Sequence, residues 1–122
     1  MPEPVQYYGK YRGRVAVNED PLKMGRIQAV VPDVLGQTPS SWAMPALPLA
    51  GPQVATYVVP PVGAGVWVEF EAGDPSNPIW TGAWWTPGGA PPLKPAQKQF
   101  ETKGGQHILL DDSSGSTLQH AM

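Results

Sequence analysis

The sequence predicts an all-β protein, a small barrel of about five strands with a short β segment trailing from it. Three observations predict this. Several runs alternate apolar and polar residues with a period of two, the mark of half-buried strands. Glycine and proline, 14 and 16 of the 122 residues, fall in clusters between those runs, as in Glu19-Asp20-Pro21, Pro60-Pro61, Gly73-Asp74-Pro75 and Pro87-Gly88-Gly89. Clusters so placed read as turns and linkers. No segment sustains the 3.6-residue period of an amphipathic helix.

The first run, Tyr11 to Val17, puts Tyr11, Val15 and Val17 on one face and Arg12 and Arg14 on the other. Asn18-Glu19-Asp20-Pro21 supplies a turn, and residues 26–31 resume the alternation with Ile27, Ala29 and Val31 inward until Pro32 stops it, so the two runs read as a hairpin. A polar stretch leads to Trp42-Ala43-Met44-Pro45, too short and too proline-bounded for more than an edge strand. Residues 54–59 are rich in β-branched side chains and read as a third firm strand. Residues 66–71 give the clearest strand, with Val66, Val68 and Phe70 on one face and Glu69 and Glu71 on the other. A turn over residues 72–78 leads to its partner, residues 79–85. The pattern leaves open whether Ile79, Ala83 and Trp85 or Trp80 and Trp84 face inward.

About five strands with long loops in this span fit a closed oligonucleotide/oligosaccharide-binding (OB) Greek-key barrel better than a sandwich, because closure removes exposed edges. The expected organisation is an N-terminal arm over residues 1–10, the barrel over 11–85, a proline-rich linker over 86–99, and a truncated β-spike over 100–122. The last part reads as three very short strands joined by tight turns. An isolated hairpin is marginal in water, and Ile108 and Leu110 would have nothing to pack against. Either the tail folds back on the barrel, or copies from several chains wrap around a common axis.

Charged residues are 15% and hydrophobic ones 41% of the chain, enough apolar material for one small core. The chain has no cysteine, which removes disulfides, thiolate metal sites and a cysteine nucleophile. The N-terminus lacks the apolar core of a signal peptide, so export by that route is not expected. Net charge is −2, yet Lys10, Arg12, Arg14, Lys23 and Arg26 crowd the first quarter while Glu69, Glu71 and Asp74 cluster later. That distribution serves to steer a partner or is simply a solvated, mixed face.

The chain resembles the OB-fold base of phage baseplate assembly protein V, shared with the valine-glycine repeat spike proteins of type VI secretion and the N-terminal domain of tail-associated lysozymes. The resemblance rests on Tyr11-Arg12-Gly13-Arg14-Val15, Asp20-Pro21-Leu22 with Met24-Gly25-Arg26-Ile27, and Trp42-Ala43-Met44-Pro45. It continues through residues 60–71, Gly73-Asp74-Pro75-Ser76-Asn77-Pro78 and Ile79-Trp80-Thr81-Gly82-Ala83-Trp84. Residues 105–112 resemble the first repeat of the β-helical needle that follows the barrel in that family.

The resemblance implies a homotrimer in the tail baseplate of a virion or related injection device, assembled in the host cytoplasm and aimed at a bacterial envelope. It implies a trimer interface at Ile108, Leu110 and Leu118, and a baseplate hub trimer meeting the basic residues Lys10, Arg12, Arg14 and Arg26. A separate spike-tip protein is expected at Leu118, Gln119 and His120. Relatives with lysozyme activity carry a further domain between barrel and needle, where this sequence has only residues 86–99.

Other chemistry finds weaker support. Trp42, Trp67, Trp80, Trp84 and Trp85 invite the alternative of an OB module stacking on single-stranded nucleic acid or glycan. A net negative chain supplies little of the positive groove that nucleic acid requires, so no nucleic-acid partner is expected. Glu69 and Glu71 share a strand face as solvated pairs often do, Asp111-Asp112-Ser113 reads as a turn, and Ser113 lacks a nucleophile-elbow context. His107 and His120 form no His-x-His pair, so no metal, no cofactor and no enzymatic activity is expected.

Overall fold

The computed structural model describes residues 5–113 and, for the backbone alone, 117–121. The chain divides into two units, Met1–Pro87 and Gly88–Met122.

The first unit opens with β1 (Tyr11–Val17), paired antiparallel to β2 (Gln28–Val30) as the hairpin pattern predicts. Ile27, Ala29 and Val31 are fully buried, as their alternation requires. Val17 departs from the expected inward row. The register with β2 slips between Val15 and Val17, so Ala16 is an extra residue that turns Val17 toward solvent. Pro32 ends the strand by starting a single helical turn, α1 (Pro32–Leu35), where its missing N–H costs nothing.

Two residues, β3 (Met44–Pro45), form the short strand expected near the Trp42 segment. The firm strand expected over residues 54–59 is absent. Only β5 (Val54–Ala55) forms, in a small exposed hairpin with β4 (Ala50–Gly51). Gln53 at the turn has a positive φ of 62°, and Pro60 and Pro61 offer no N–H to a ladder, so the β-branched run has no partner to extend against.

The strand β6 (Gly65–Phe70) alternates as predicted, with Val66, Val68 and Phe70 buried and Trp67 and Glu69 outward. A single 3-10 turn (Glu71–Gly73) leads to β7 (Pro78–Trp84). The facing left open in β7 follows neither row throughout: Trp80 is buried, whereas Ala83 and Trp85 are exposed. Val68 pairs with Trp80 but Trp67 pairs with Gly82, leaving Thr81 as an extra residue. Trp80 before this bulge is buried in the core, and Trp84 beyond it lies on the outer face against Trp67. Gly82 adopts φ 148° there, a conformation that favours glycine.

These strands form one curled sheet in the order β2-β1-β6-β7-β3, with β3 running parallel to β7. Isolated bridges Ile27↔Ala43 and Val30↔Pro39 join β2 to the segment leading into β3, so the two edges of the sheet meet. Inside lie Val15, Ile27, Ala29, Val31, Ala43, Val66, Val68, Phe70 and Trp80. Tyr7 and Tyr11 cap this core beside Phe70, with ring centroids 6.3 and 5.8 Å from it. The Tyr7 amide donates to the Gly73 carbonyl at 2.8 Å, which ties the N-terminal arm to the 3-10 turn.

The second unit is an antiparallel three-stranded sheet in the order β10-β9-β8, made of β8 (Gln97–Glu101), β9 (His107–Asp111) and β10 (Thr117–Ala121). β8 begins inside the stretch expected to be linker.

Candidate functional site

The outer face of β1 and β6 gathers most of the predicted basic surface. Alternation places Arg12 and Arg14 outward, and the register sets Arg12 opposite Trp67 and Arg14 opposite Gly65. Trp84 lies flat over Gly65: a Cβ added there would sit 2.6 Å from the indole carbons Cδ2 and Cε2. Its Nε1–H donates to the Val66 carbonyl at 3.0 Å, fixing the ring. The Arg12 guanidinium carbon then stands 4.9 Å from the Trp67 ring and 4.7 Å from the Trp84 ring, whose planes are tilted by 54°. Arg12, Gly13, Arg14, Pro32 and Trp84 line a cleft of about 160 Å³. Lys10 is nearby in sequence but engaged, its Nζ 2.9 Å from the Glu69 carboxylate and 3.2 Å from the Thr81 hydroxyl.

The structure puts Arg26 to a different use. Its Nε and Nη2 donate to the two carboxylate oxygens of Asp20 at 2.9 and 2.7 Å, and its guanidinium stands 5.3 Å from the Trp42 ring. Asp20 also accepts the backbone N–H groups of Leu22, Met24 and Arg26. The two side chains are only 2% and 16% exposed for Asp20 and Arg26, so this is an interior tie that shapes the 20–26 loop. The Arg26 bonds, helped by those backbone donors, hold the Asp20 carboxyl far below the usual carboxylate range. Asp20 in turn raises the Arg26 pKa. Sequence reading takes Asp20 as a turn residue only; the pairing six positions later in a loop leaves no periodic signal.

In the second unit, Ile108 and Leu110 stand on an open sheet face, 49% and 50% exposed. Phe100, the register partner of Ile108, is 58% exposed and joins them, although the sequence reading passes over it. The signal for it is parity: once β8 and β9 pair, Phe100 must share a face with Ile108. Leu118 is the register partner of Leu110 and His120 that of Ile108, but the side chains of Leu118, Gln119 and His120 lie outside the described residues.

The remaining candidates do not assemble into a reactive site. Glu69 is paired with Lys10, and Glu71 opens the 3-10 turn. Asp111 accepts the side-chain hydroxyl and backbone N–H of Ser113 and a bond from Gln97 at 3.0 Å, an arrangement that stabilises a turn and holds its pKa down. His107 Nδ1 lies 3.1 Å from the Gly105 carbonyl, and Asp112 donates its amide to the Ala96 carbonyl. Among the described residues, no three His, Cys, Asp or Glu side chains converge as metal ligands would. Of the tryptophans, Trp80 is buried with its Nε1–H on the Gly25 carbonyl at 3.1 Å, while Trp85 is 68% exposed.

A family model described as the type VI secretion system/phage-baseplate injector OB domain matches residues 11–85. A search of curated proteins finds no match.

Proposed function

The chain belongs to the family of type VI secretion system/phage-baseplate injector OB domains, and on that premise we propose that it is a trimeric, non-enzymatic structural subunit of a contractile injection system. In this reading the curled sheet is a five-stranded OB barrel that docks on a baseplate hub. The second unit begins a three-fold β-spike aimed at a bacterial envelope, and the subunit resides in the tail baseplate. Lys10, Arg12 and Arg14 form the hub-facing surface, with Arg26 supporting the adjoining loop. The outer edge of β10, last in its sheet, offers a further strand or a tip protein a place to pair at Leu118, Gln119 and His120.

The observation that carries the reading is the apolar face of Phe100, Ile108 and Leu110 on a three-stranded sheet. Burying each aliphatic side chain against other copies contributes about 1.5–3 kcal/mol, repeated in every subunit. Ile108→Asp or Leu110→Asp should therefore convert a trimer to monomers by light scattering while the tryptophan fluorescence of the first unit stays native. A monomeric wild-type chain, or a charged variant that stays fully trimeric, refutes the spike assignment.

A further inference from the structure

We propose that Arg12, clasped between Trp67 and Trp84 with Arg14 beside it, is a preformed receptor for a single carboxylate on a protein partner. Resting on the hub reading, this names the chemistry that the hub-facing surface recognises.

Arg12 is held but not neutralised. The two indoles meet at 54° with centroids 6.3 Å apart, and the guanidinium lies within 5 Å of both. Both indoles lie to one side of the guanidinium carbon, and its fork of N–H donors suits bidentate contact with a carboxylate. Among the described residues the ion pairs are Lys10–Glu69 and Arg26–Asp20; Arg12 and Arg14 make none. The clasp is also rigid, because Trp84 rests on the bare backbone of Gly65 and is pinned to the Val66 carbonyl. A side chain ordered in advance loses less freedom when a partner arrives.

The size and charge of the surroundings select the occupant. The cleft of about 160 Å³ between Arg12, Arg14, Pro32 and Trp84 suits one acidic side chain. A single-stranded nucleic acid needs a positive track along several phosphates. Here the face is interrupted by the Glu69 carboxylate, two positions beyond Trp67 on the outward side of β6. One carboxylate is accommodated at a time, and a row of phosphates finds only the neutral Lys10–Glu69 pair beyond it.

The test titrates the full-length chain, labelled for arginine Nε–H and indole N–H resonances, with acetylated hexaglutamate and separately with hexathymidylate at low salt. Hexaglutamate should give saturable shifts at Arg12, Trp67 and Trp84. Arg12→Lys, which keeps the charge but loses the fork and the stacking, should weaken binding by about tenfold. Lys103→Gln, which removes a charge elsewhere, should leave it unchanged. Shifts that never saturate into the millimolar range, an Arg12→Lys protein that binds equally well, or hexathymidylate binding as tightly as the peptide each overturn the proposal. Incorporation of an Arg12→Glu/Arg14→Glu double variant into particles separates this from the hub reading. Peptide binding with undiminished incorporation keeps the receptor and removes the hub as its target; no peptide binding with blocked incorporation does the reverse.

Discussion

The two units bury their apolar residues in opposite ways. In the first, the sheet β2-β1-β6-β7-β3 curls until bridges join its edges, and nine hydrophobic residues lie inside it. In the second, a meander of three strands has Leu109 buried but leaves Phe100, Ile108 and Leu110 on an open face. A curled sheet supplies its own second layer; an open three-stranded one does not. The first unit therefore contains what it needs to fold, and the second leaves an apolar face uncovered.

The largest expected effect tests that contrast directly. Ile27 is fully buried, and Ile27→Ala should cost the first unit about 2–5 kcal/mol, the range for deleting a core aliphatic side chain. Ile108→Ala in chain diluted to monomers should change stability by no more than about 0.5 kcal/mol. All five tryptophans lie between residues 42 and 85, so fluorescence reports the first unit, and amide exchange over residues 97–111 reports the second. Similar losses at Ile27 and Ile108 in monomeric chain would break the comparison.

Next in size is Gly65→Ala, expected to cost about 1–3 kcal/mol because a methyl group must displace the Trp84 ring. Displacement removes the bond to the Val66 carbonyl and opens the clasp on Arg12. Thermal unfolding read with indole resonances checks both consequences. Unaltered stability with an unmoved Trp84 signal would show that the ring does not lie on Gly65.

How much of this was legible in the sequence depends on where the two-residue period survives. It survives in β6 and through β2, so Val66, Val68, Phe70, Ile27, Ala29 and Val31 are found inward as read. It breaks at two bulges. The extra residue Ala16 exposes Val17, and the extra residue Thr81 sends Trp80 and Trp84 to opposite faces although they lie four apart. A bulge is a fact of pairing with a partner strand, so neither strand's own sequence announces it. Residues 54–59 misled for a related reason: β-branched composition records suitability for a sheet, while the place in the sheet went to Met44–Pro45, parallel to β7. The predicted basic surface divides likewise. Arg12 and Arg14 are outward by alternation alone, whereas the withdrawal of Arg26 into a bond with Asp20 depends on a loop conformation that no period encodes.

That tie gives the first unit an acid sensitivity separable from that of the second. Asp20 is held below its ordinary pKa chiefly by Arg26, and Asp111 is held down chiefly by Ser113. A carboxylate with a depressed folded value contributes stability in full above its unfolded value of about 3.9, and loses it as pH falls from there toward the folded value. Asp20→Asn should lower stability at neutral pH and flatten its decline between about pH 4 and the acid limit, as followed by tryptophan fluorescence. Asp111→Asn should leave that fluorescence-detected profile unchanged. An Asp20→Asn protein as acid-sensitive as wild type would mean that the Asp20–Arg26 pair does not set the response.

The smallest expected effect concerns the exposed pair on the outer face, where the interior-based stability of the first unit predicts near indifference. Lys10 and Glu69 are 2.9 Å apart, but their side chains are 54% and 41% exposed, so water and salt screen the attraction and two long side chains lose freedom in making it. Glu69→Gln leaves the buried row of Val66, Val68 and Phe70 untouched, and Lys10 keeps the Thr81 hydroxyl as a partner at 3.2 Å. Stability should therefore shift by no more than about 0.5 kcal/mol. The same substitution removes the negative charge that interrupts the basic face beside Trp67. It should strengthen hexathymidylate binding at low salt more than hexaglutamate binding, because a row of phosphates gains most when the interruption is lost. Stability lost well beyond that range would place surface charge among the supports of the curled sheet, and unchanged hexathymidylate affinity would show that Glu69 is not what keeps nucleic acid off this face.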